Sequence, residues 1–420
     1  MPHLAVRSRQ QRAGLGLTIA GLALIAAETL VPHPERIALV AQTPIWCLVC
    51  GELGVVDVLL NLALFAPLGA GLSLMGLSWR RAMAIGAALS LSIELTQYFA
   101  IAGRDASLSD LITNTTGTML GAILARGWRT WLVPAPGTAR YLAGAAALAW
   151  LTQVAITGAV IRPALPATVY WGQRAADLAQ FDTFPGRLLD ARVGSGSLPS
   201  HRLKNSDEVR RLLLAGTSLS AVAVPAEPTE GLAPLASIFD DDQREIAVLG
   251  QWNEDLVFRL RTRAVDLELR QPAVRLGGVF RNAAGETLAV AGAIRAGRFV
   301  ISSDQPGGHL SRVLPLSAQW GWSLLLPFDY AFGPEVAWLS GLWIGCWLVP
   351  VGFWLGGCDI RVPTAAGVTI LILGLGLSAI PGLLQEPGAP LEWVAGLAGA
   401  AVGWALGRKG RELQRRGIAA

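Results

Sequence analysis

The chain has 420 residues, of which 34 are Lys or Arg, 30 are Asp or Glu and 52% are hydrophobic; its mean hydropathy is +0.47. Only 15% of the residues are charged, against about a quarter in soluble proteins, which excludes a disordered chain, a disulfide scaffold and an ordinary cytosolic enzyme. The net charge of +4 is spread over short basic clusters beside apolar runs, where it orients helices in a bilayer, so nucleic acid is excluded as a partner and the lipid bilayer is the expected one.

Apolar stretches long enough to cross about 30 Å of hydrocarbon lie near 14–32, 55–76, 82–101, 107–126, 139–161, 335–355, 364–384 and 390–407. The predicted fold class is a polytopic α-helical membrane protein of about eight spans with an inserted extracytoplasmic all-β jelly-roll sandwich. Predicted boundaries are an N-terminal membrane domain 1–161 with its core at 55–126, a β-sandwich 162–334, a C-terminal membrane domain 335–408 and a basic tail 409–420. Arg7, Arg9 and Arg12 precede the first span, Arg80 and Arg81 follow the second, Arg126, Arg129 and Arg140 follow the fourth, and Arg408, Lys409, Arg411, Arg415 and Arg416 follow the last. With eight spans all these clusters share one side, so the positive-inside rule places both termini in the cytoplasm and the insert outside. Cys47 and Cys50 form a C-x-x-C on the external side. No second pair supplies metal ligands, so a structural disulfide or packed thiols are expected ahead of a redox dithiol.

Spans two to four carry polar groups that hydrocarbon ordinarily excludes. Asp57 and Asn61 stand at i,i+4, Ser90, Glu94 and Gln97 at i,i+4,i+7, and Asp110 and Asn114 again at i,i+4. In the deduced topology these residues lie within ~10 Å of the external surface at 1.5 Å per residue. Carboxylates at such depth are costly unless they face a bundle interior or a water-filled cavity, so a polar cluster of Asp57, Asn61, Glu94, Gln97, Asp110 and Asn114 is expected, with Arg104 as its counter-ion. Locally, Ser107-x-x-Asp110 reads as a capping box opening the fourth span, and Gly117-x-x-x-Gly121 as a packing signal.

The last three spans repeat this trio. FAPLG at 65–69 aligns with LVPVG at 348–352, SLSIELTQ at 90–97 with SAIPGLLQ at 378–385, and Asp110, Gly117 and Gly121 with Glu392, Gly399 and Gly403. The second copy has Ser340, Ile344, Gly382 and Gly396 in place of Asp57, Asn61, Glu94 and Asn114. A helix trio that folds without those groups points to a role beyond folding in the first copy.

With its FAPLG motif, Glu94-x-x-Gln97, Arg104, Ser109-Asp110, Asn114 and paired glycines, the stretch 55–126 resembles the VanZ-like family. The resemblance implies a bacterial cell-envelope setting and a link to glycopeptide antibiotic susceptibility. The leading expectation is binding of an envelope glycan or lipid-linked component. A competing one is an enzyme acting on a lipid-linked envelope substrate with Glu94 or Asp110 as general base, and a third is a structural scaffold.

In the insert, alternation predicts strands at 219–224, 235–239, 245–250, 256–260, 265–270, 288–294 and 298–302, with turns at 282–285 and 305–308. The series from Leu235 to Arg263 resembles the laminin-G and concanavalin-A-like group, which implies a jelly roll. Asp266 and Glu268 are expected on one solvated strand face and Asp240-Asp241-Asp242 in a turn; no metal or cofactor is expected. Trp320, Trp322, Phe328 and Tyr330 are expected to form an interfacial belt.

Overall fold

The computed structural model describes residues 8–32, 44–49, 51, 53–101, 104, 106–178, 181–384 and 386–415. They fall into two compact units, Met1–Thr138 with Gly410–Ala420, and Ala139–Lys409.

The first unit holds α1 (Arg9–Thr29), α2 (Gly54–Leu74), α3 (Trp79–Ala100) and α4 (Leu108–Arg126). α1 begins five residues before its apolar run, because Ser8 and Gln11 exchange side-chain and backbone hydrogen bonds in a capping box. Ile25, Phe65, Leu68, Leu72, Ala82, Ile93 and Ala122 form the shared core. α2 and α4 touch backbone to backbone: a Cβ at Gly69 would overlap the Thr118 carbonyl, one at Gly117 the Leu62 carbonyl and one at Gly121 the Ala66 carbonyl. Small residues are what allow helices to approach this closely without a hydrophobic drive between them.

The second unit contains α5 (Pro136–Val160), twelve strands with α6 (Ser206–Leu214), then α7 (Val336–Gly357), α8 (Val362–Gly374, extended through a π-helical turn at Leu375–Ala379 to Leu384) and α9 (Pro390–Arg415). The strands are β1 (Tyr170–Arg174), β2 (Arg187–Val193), β3 (Gly196–Ser197), β4 (Leu219–Val224), β5 (Thr229–Asp240), β6 (Glu245–Asn253), β7 (Asp255–Leu260), β8 (Ala273–Leu276), β9 (Leu288–Arg295), β10 (Arg298–Gln305), β11 (Gly308–Pro315) and β12 (Ala331–Phe332). They form two six-stranded sheets, β1-β5-β6-β7-β8-β12 and β11-β10-β9-β4-β2-β3. All pairings are antiparallel except β12 with β8. Phe258, Phe299, Leu219, Leu249 and Ile301 from both sheets fill the space between them, joined by Val160 and Ile161 after α5 and Val336 of α7. A second cluster packs Trp150 and Val154 of α5 against Ile344, Leu348, Leu373, Leu377 and Ala400.

Every predicted apolar stretch is helical, and five of the helices are long and apolar enough to cross a membrane: α1, α2, α5, α7 and Val362–Leu383 of α8. α3 and α4 fall short because of the polar groups they carry, and α9 because it is glycine-rich and ends in basic residues.

Two expectations for the insert are corrected. Residues 265–270 are not a strand: Arg263–Asp266 is a single helical turn, closed by Leu269 N–H to the Ala264 carbonyl, with Arg261 on Asp266 at 2.8 Å and Glu268 at φ +52°. The ion pair and the left-handed residue override the alternation, so Asp266 and Glu268 share no strand face. Trp320 is no part of an interfacial belt, since it is buried and stacked on Phe299 at 6.1 Å. The Asp240–Asp242 run is a turn in which Asp240 accepts from the Asp242 and Arg244 N–H groups and faces Arg261 at 3.5 Å. β1, β2, β8 and β11, together with the short β3 and β12, are strands that the alternation did not disclose.

The insert joins α7 at Glu335, whose carboxylate accepts from Gly333 N–H at 2.8 Å, from Tyr330 Oη–H at 2.9 Å and from Arg275 at 3.2 Å. Burial pushes its pKa up, but the Gly333 N–H, the Tyr330 hydroxyl and Arg275 outweigh it and hold the carboxyl below the ordinary glutamate range. A depressed folded-state pKa contributes stability that is complete above the unfolded value near 4.3 and is lost as pH falls through the folded value. Glu335→Ala is therefore expected to lower stability by about 1–3 kcal/mol at neutral pH and to flatten the acid limb of the stability profile. Thermal melting in detergent across pH 3–7 checks both effects, and an unchanged acid limb would count against the assignment.

Candidate functional site

The polar residues of α2, α3 and α4 meet in pairs. Asn61 Nδ2 donates to Asp110 Oδ1 at 2.6 Å, joining α2 to α4. Asn114 Nδ2 donates to Ser90 Oγ at 3.1 Å, joining α4 to α3 one turn deeper. Gln97 Nε2 donates to the Thr29 carbonyl at the end of α1, 3.0 Å away. Glu94 Oε2 accepts the Ser107 backbone N–H at 2.7 Å. Glu94, Gln97 and Asn114 are buried, Asn61, Asp110 and Arg104 half-buried, and Asp57 is exposed in the first turn of α2, where its charge suits the helix N-terminus. Arg104 donates to the Val31 carbonyl at 3.1 Å and to the Glu28 carbonyl, a cation at the C-terminal end of α1. Ser109 adds a group absent from the expected cluster, its hydroxyl donating to the Leu48 carbonyl at 2.6 Å; only its place beside Asp110 in the motif hinted at this.

The capping box expected at Ser107 is replaced by an exchange between helices. Ser107 Oγ accepts from Ser109 N–H, but the Ser107 N–H goes to Glu94 of α3 while Asp110 turns to Asn61. The second copy shows the local alternative. There Glu392, the counterpart of Asp110, accepts the Ala389 N–H of its own helix start at 2.9 Å, while Gly382 stands for Glu94 and Ile344 for Asn61. The outer helix pair of each copy shares three backbone approaches. A Cβ at Gly352 would overlap the Ala400 carbonyl, one at Gly399 the Gly345 carbonyl and one at Gly403 the Val349 carbonyl. These are the counterparts of the Gly69–Thr118, Gly117–Leu62 and Gly121–Ala66 approaches.

Residues 16–131 match the VanZ/LLP1 family model. The match takes in most of α1 and all of α2, α3 and α4, and with them every residue of the polar layer. No curated protein and no solved structure matches the chain. Within the VanZ-like domain the open groups are acceptors: Gln97 Oε1 and Asn114 Oδ1 are buried and have no hydrogen-bond partner among the described residues, beside the carboxylates of Glu94 and Asp110. Such a set is suited to receiving hydroxyl or amine N–H and O–H donors. Among the described residues no group of His, Cys, Asp and Glu has the arrangement of a metal site. Cys47 is disulfide-bonded, Cys346 and Cys358 carry free thiols, and Cys50 lies outside the described residues.

Proposed function

We propose that this VanZ-like membrane protein resides in a bacterial inner membrane and binds a hydroxyl- or amine-rich envelope component, a glycan or lipid-linked precursor, at the external ends of α2, α3 and α4. The observation that carries this reading is the acceptor set of Glu94, Asp110, Gln97 and Asn114; the second copy, which builds the same glycine-spaced helix pair, has Gly382 and Gly396 in place of Glu94 and Asn114. Buried acceptors without donors cost about 1–3 kcal/mol each, a cost that a donor-bearing ligand relieves. All eight helices cross the bilayer in this reading, with the β-sandwich outside. The full-length protein, purified in mild detergent and analysed by mass spectrometry, is expected to carry a lipid-linked or glycan adduct that Glu94→Gln loses. Adduct-free wild-type protein, or equal adduct on both, would overturn the reading.

The orientation has its own test. Cysteines placed at the exposed Lys204 and Glu286 are expected to react with a membrane-impermeant thiol reagent on intact spheroplasts, and one at Glu412 only after lysis. Labelling of the Glu412 position on intact cells would invert the arrangement.

A further inference from the structure

The buried acceptors of the VanZ-like domain are matched to one kind of donor. Gln97 is 6% exposed, and its Nε2 is committed to the Thr29 carbonyl at 3.0 Å. A carbonyl only accepts, so Gln97 cannot turn its NH2 toward a ligand, and its Oε1 is left with no hydrogen-bond partner among the described residues. Asn114, 2% exposed, commits Nδ2 to Ser90 Oγ and leaves Oδ1 over in the same way. Glu94, 7% exposed, accepts the Ser107 backbone N–H through Oε2; that is its one hydrogen bond among the described residues, and no ion pair joins it there. Ser90, Glu94 and Gln97 follow one another at i, i+4 and i+7 on α3, about 10 Å of helix at 1.5 Å per residue. The carboxyl group thus stands between Gln97 on one side and, on the other, the Asn114 that is tied to Ser90. Access is short, because Glu94 lies one hydrogen bond beneath the half-buried Ser107 at the start of α4.

A hydroxyl group suits this set poorly. It donates one hydrogen bond and brings two lone pairs of its own, and it does nothing for the charge of a buried carboxylate. An ammonium group donates three hydrogen bonds, accepts none and supplies the opposite charge that a buried carboxylate needs. We propose, building on the envelope-ligand reading above, that the group received at Glu94 is a primary ammonium, flanked by Gln97 Oε1 and Asn114 Oδ1. An aminated phospholipid headgroup and a soluble amine share this chemistry. The second copy uses a donor-only group at the same end of its fold, supplied by the chain itself: Trp322 Nε1–H donates to Ser340, which stands at the Asp57 position, at 3.2 Å. Its carboxyl, Glu392, caps its own helix start through the Ala389 N–H, with Gly382 and Gly396 at the Glu94 and Asn114 positions. The ammonium therefore belongs to the three acceptors together, and a carboxyl alone does not call for one.

The test is native mass spectrometry of the full-length protein in detergent, supplied in separate runs with equal concentrations of phosphatidylethanolamine, its N-acetylated form or phosphatidylglycerol. Wild-type protein is expected to retain phosphatidylethanolamine at least tenfold more than the other two, which keep the phosphate and acyl chains but carry an amide or hydroxyls in place of the ammonium. Glu94→Gln is expected to erase that preference, and Gln97→Met, which keeps the side-chain length and removes the free oxygen, to weaken it severalfold. Melting temperatures close to that of wild type identify the folded variants. The soluble headgroups glycerophosphoethanolamine and glycerophosphoglycerol separate the sources: a preference within the lipids alone assigns a membrane lipid, and one within the soluble pair a free amine. Absence of an ammonium preference in both sets, or an undiminished preference in folded Glu94→Gln, would overturn the proposal. A co-purifying adduct that bears hydroxyls and no amine, and that Glu94→Gln loses, would also overturn it while leaving the envelope-ligand reading intact; wild-type protein that carries no adduct and retains none of the probes would overturn both.

Discussion

Gly69→Ala is expected to stop the VanZ-like helices from assembling. The added methyl would occupy the space of the Thr118 carbonyl, and neither α2 nor α4 can yield locally, because the Gly117–Leu62 and Gly121–Ala66 approaches hold the same two helices together within about two turns of that contact. Overpacking costs roughly 1–3 kcal/mol where side chains can move aside; here the obstacle is backbone, so the cost is expected at or above the upper end of that range. Gly352→Ala meets the Ala400 carbonyl in the same way and is expected to be equally damaging in the second copy. Gly16→Ala and Gly144→Ala, whose added methyls meet nothing within 4 Å, serve as controls and should gain roughly 0.5–1 kcal/mol of helix propensity. Membrane abundance and melting temperature in detergent report the outcome. A Gly69→Ala protein of normal abundance and stability would show that the helices are not held by backbone contact.

Glu94→Gln is expected to remove function while leaving the fold intact. Glutamine still presents an acceptor to the Ser107 N–H, now 2.7 Å from Glu94 Oε2, so the structural loss should stay below about 1 kcal/mol. What disappears is the ionisable carboxyl group. A strain lacking the protein and complemented with Glu94→Gln is expected to behave as the deletion does, in glycopeptide susceptibility or another envelope phenotype, at normal membrane abundance. Glu94→Ala goes further: Asp110 becomes the nearest acidic group on the same helix for the Ser107 N–H, as Glu392 is for Ala389 in the second copy, and the Asn61–Asp110 bond is expected to break. The cost should then reach about 1–3 kcal/mol. Full complementation by Glu94→Gln would end the binding hypothesis and leave a scaffold.

Apolar runs placed the long helices, because a segment that crosses hydrocarbon must satisfy its backbone within itself. Spacings of four placed Asn61, Glu94, Asp110 and Asn114 on inward faces. The exchange at Ser107 was not legible, because a capping motif is local and its replacement depends on Glu94 arriving from another helix. Contact between α2 and α4 was only hinted at by Gly117-x-x-x-Gly121, since Gly69 is distant in sequence. In the insert, Val265, Leu267 and Leu269 alternate as a strand would, yet the Arg261–Asp266 pair and the left-handed Glu268 turn the chain there. The edge strand β11 has a solvated face and an unpaired side, so burial left little imprint on its composition.

Helices spaced by main chain against main chain need no particular side chains to keep their distance. The glycine seam that both copies share therefore separates two design problems: where the helices stand, and what chemistry they display on their remaining faces. A duplicated trio can shed or acquire polar groups without renegotiating its geometry, and the acceptor set of the first copy becomes transplantable. Gly382→Glu would restore the counterpart of Glu94 directly, whereas Gly396→Asn, the counterpart of Asn114, would first require a smaller residue at Leu373, whose Cδ2 lies 2.5 Å from the Cβ to be added. Polar chemistry of this kind can be gained or lost in a few substitutions, with the glycines as the one part that has to stay.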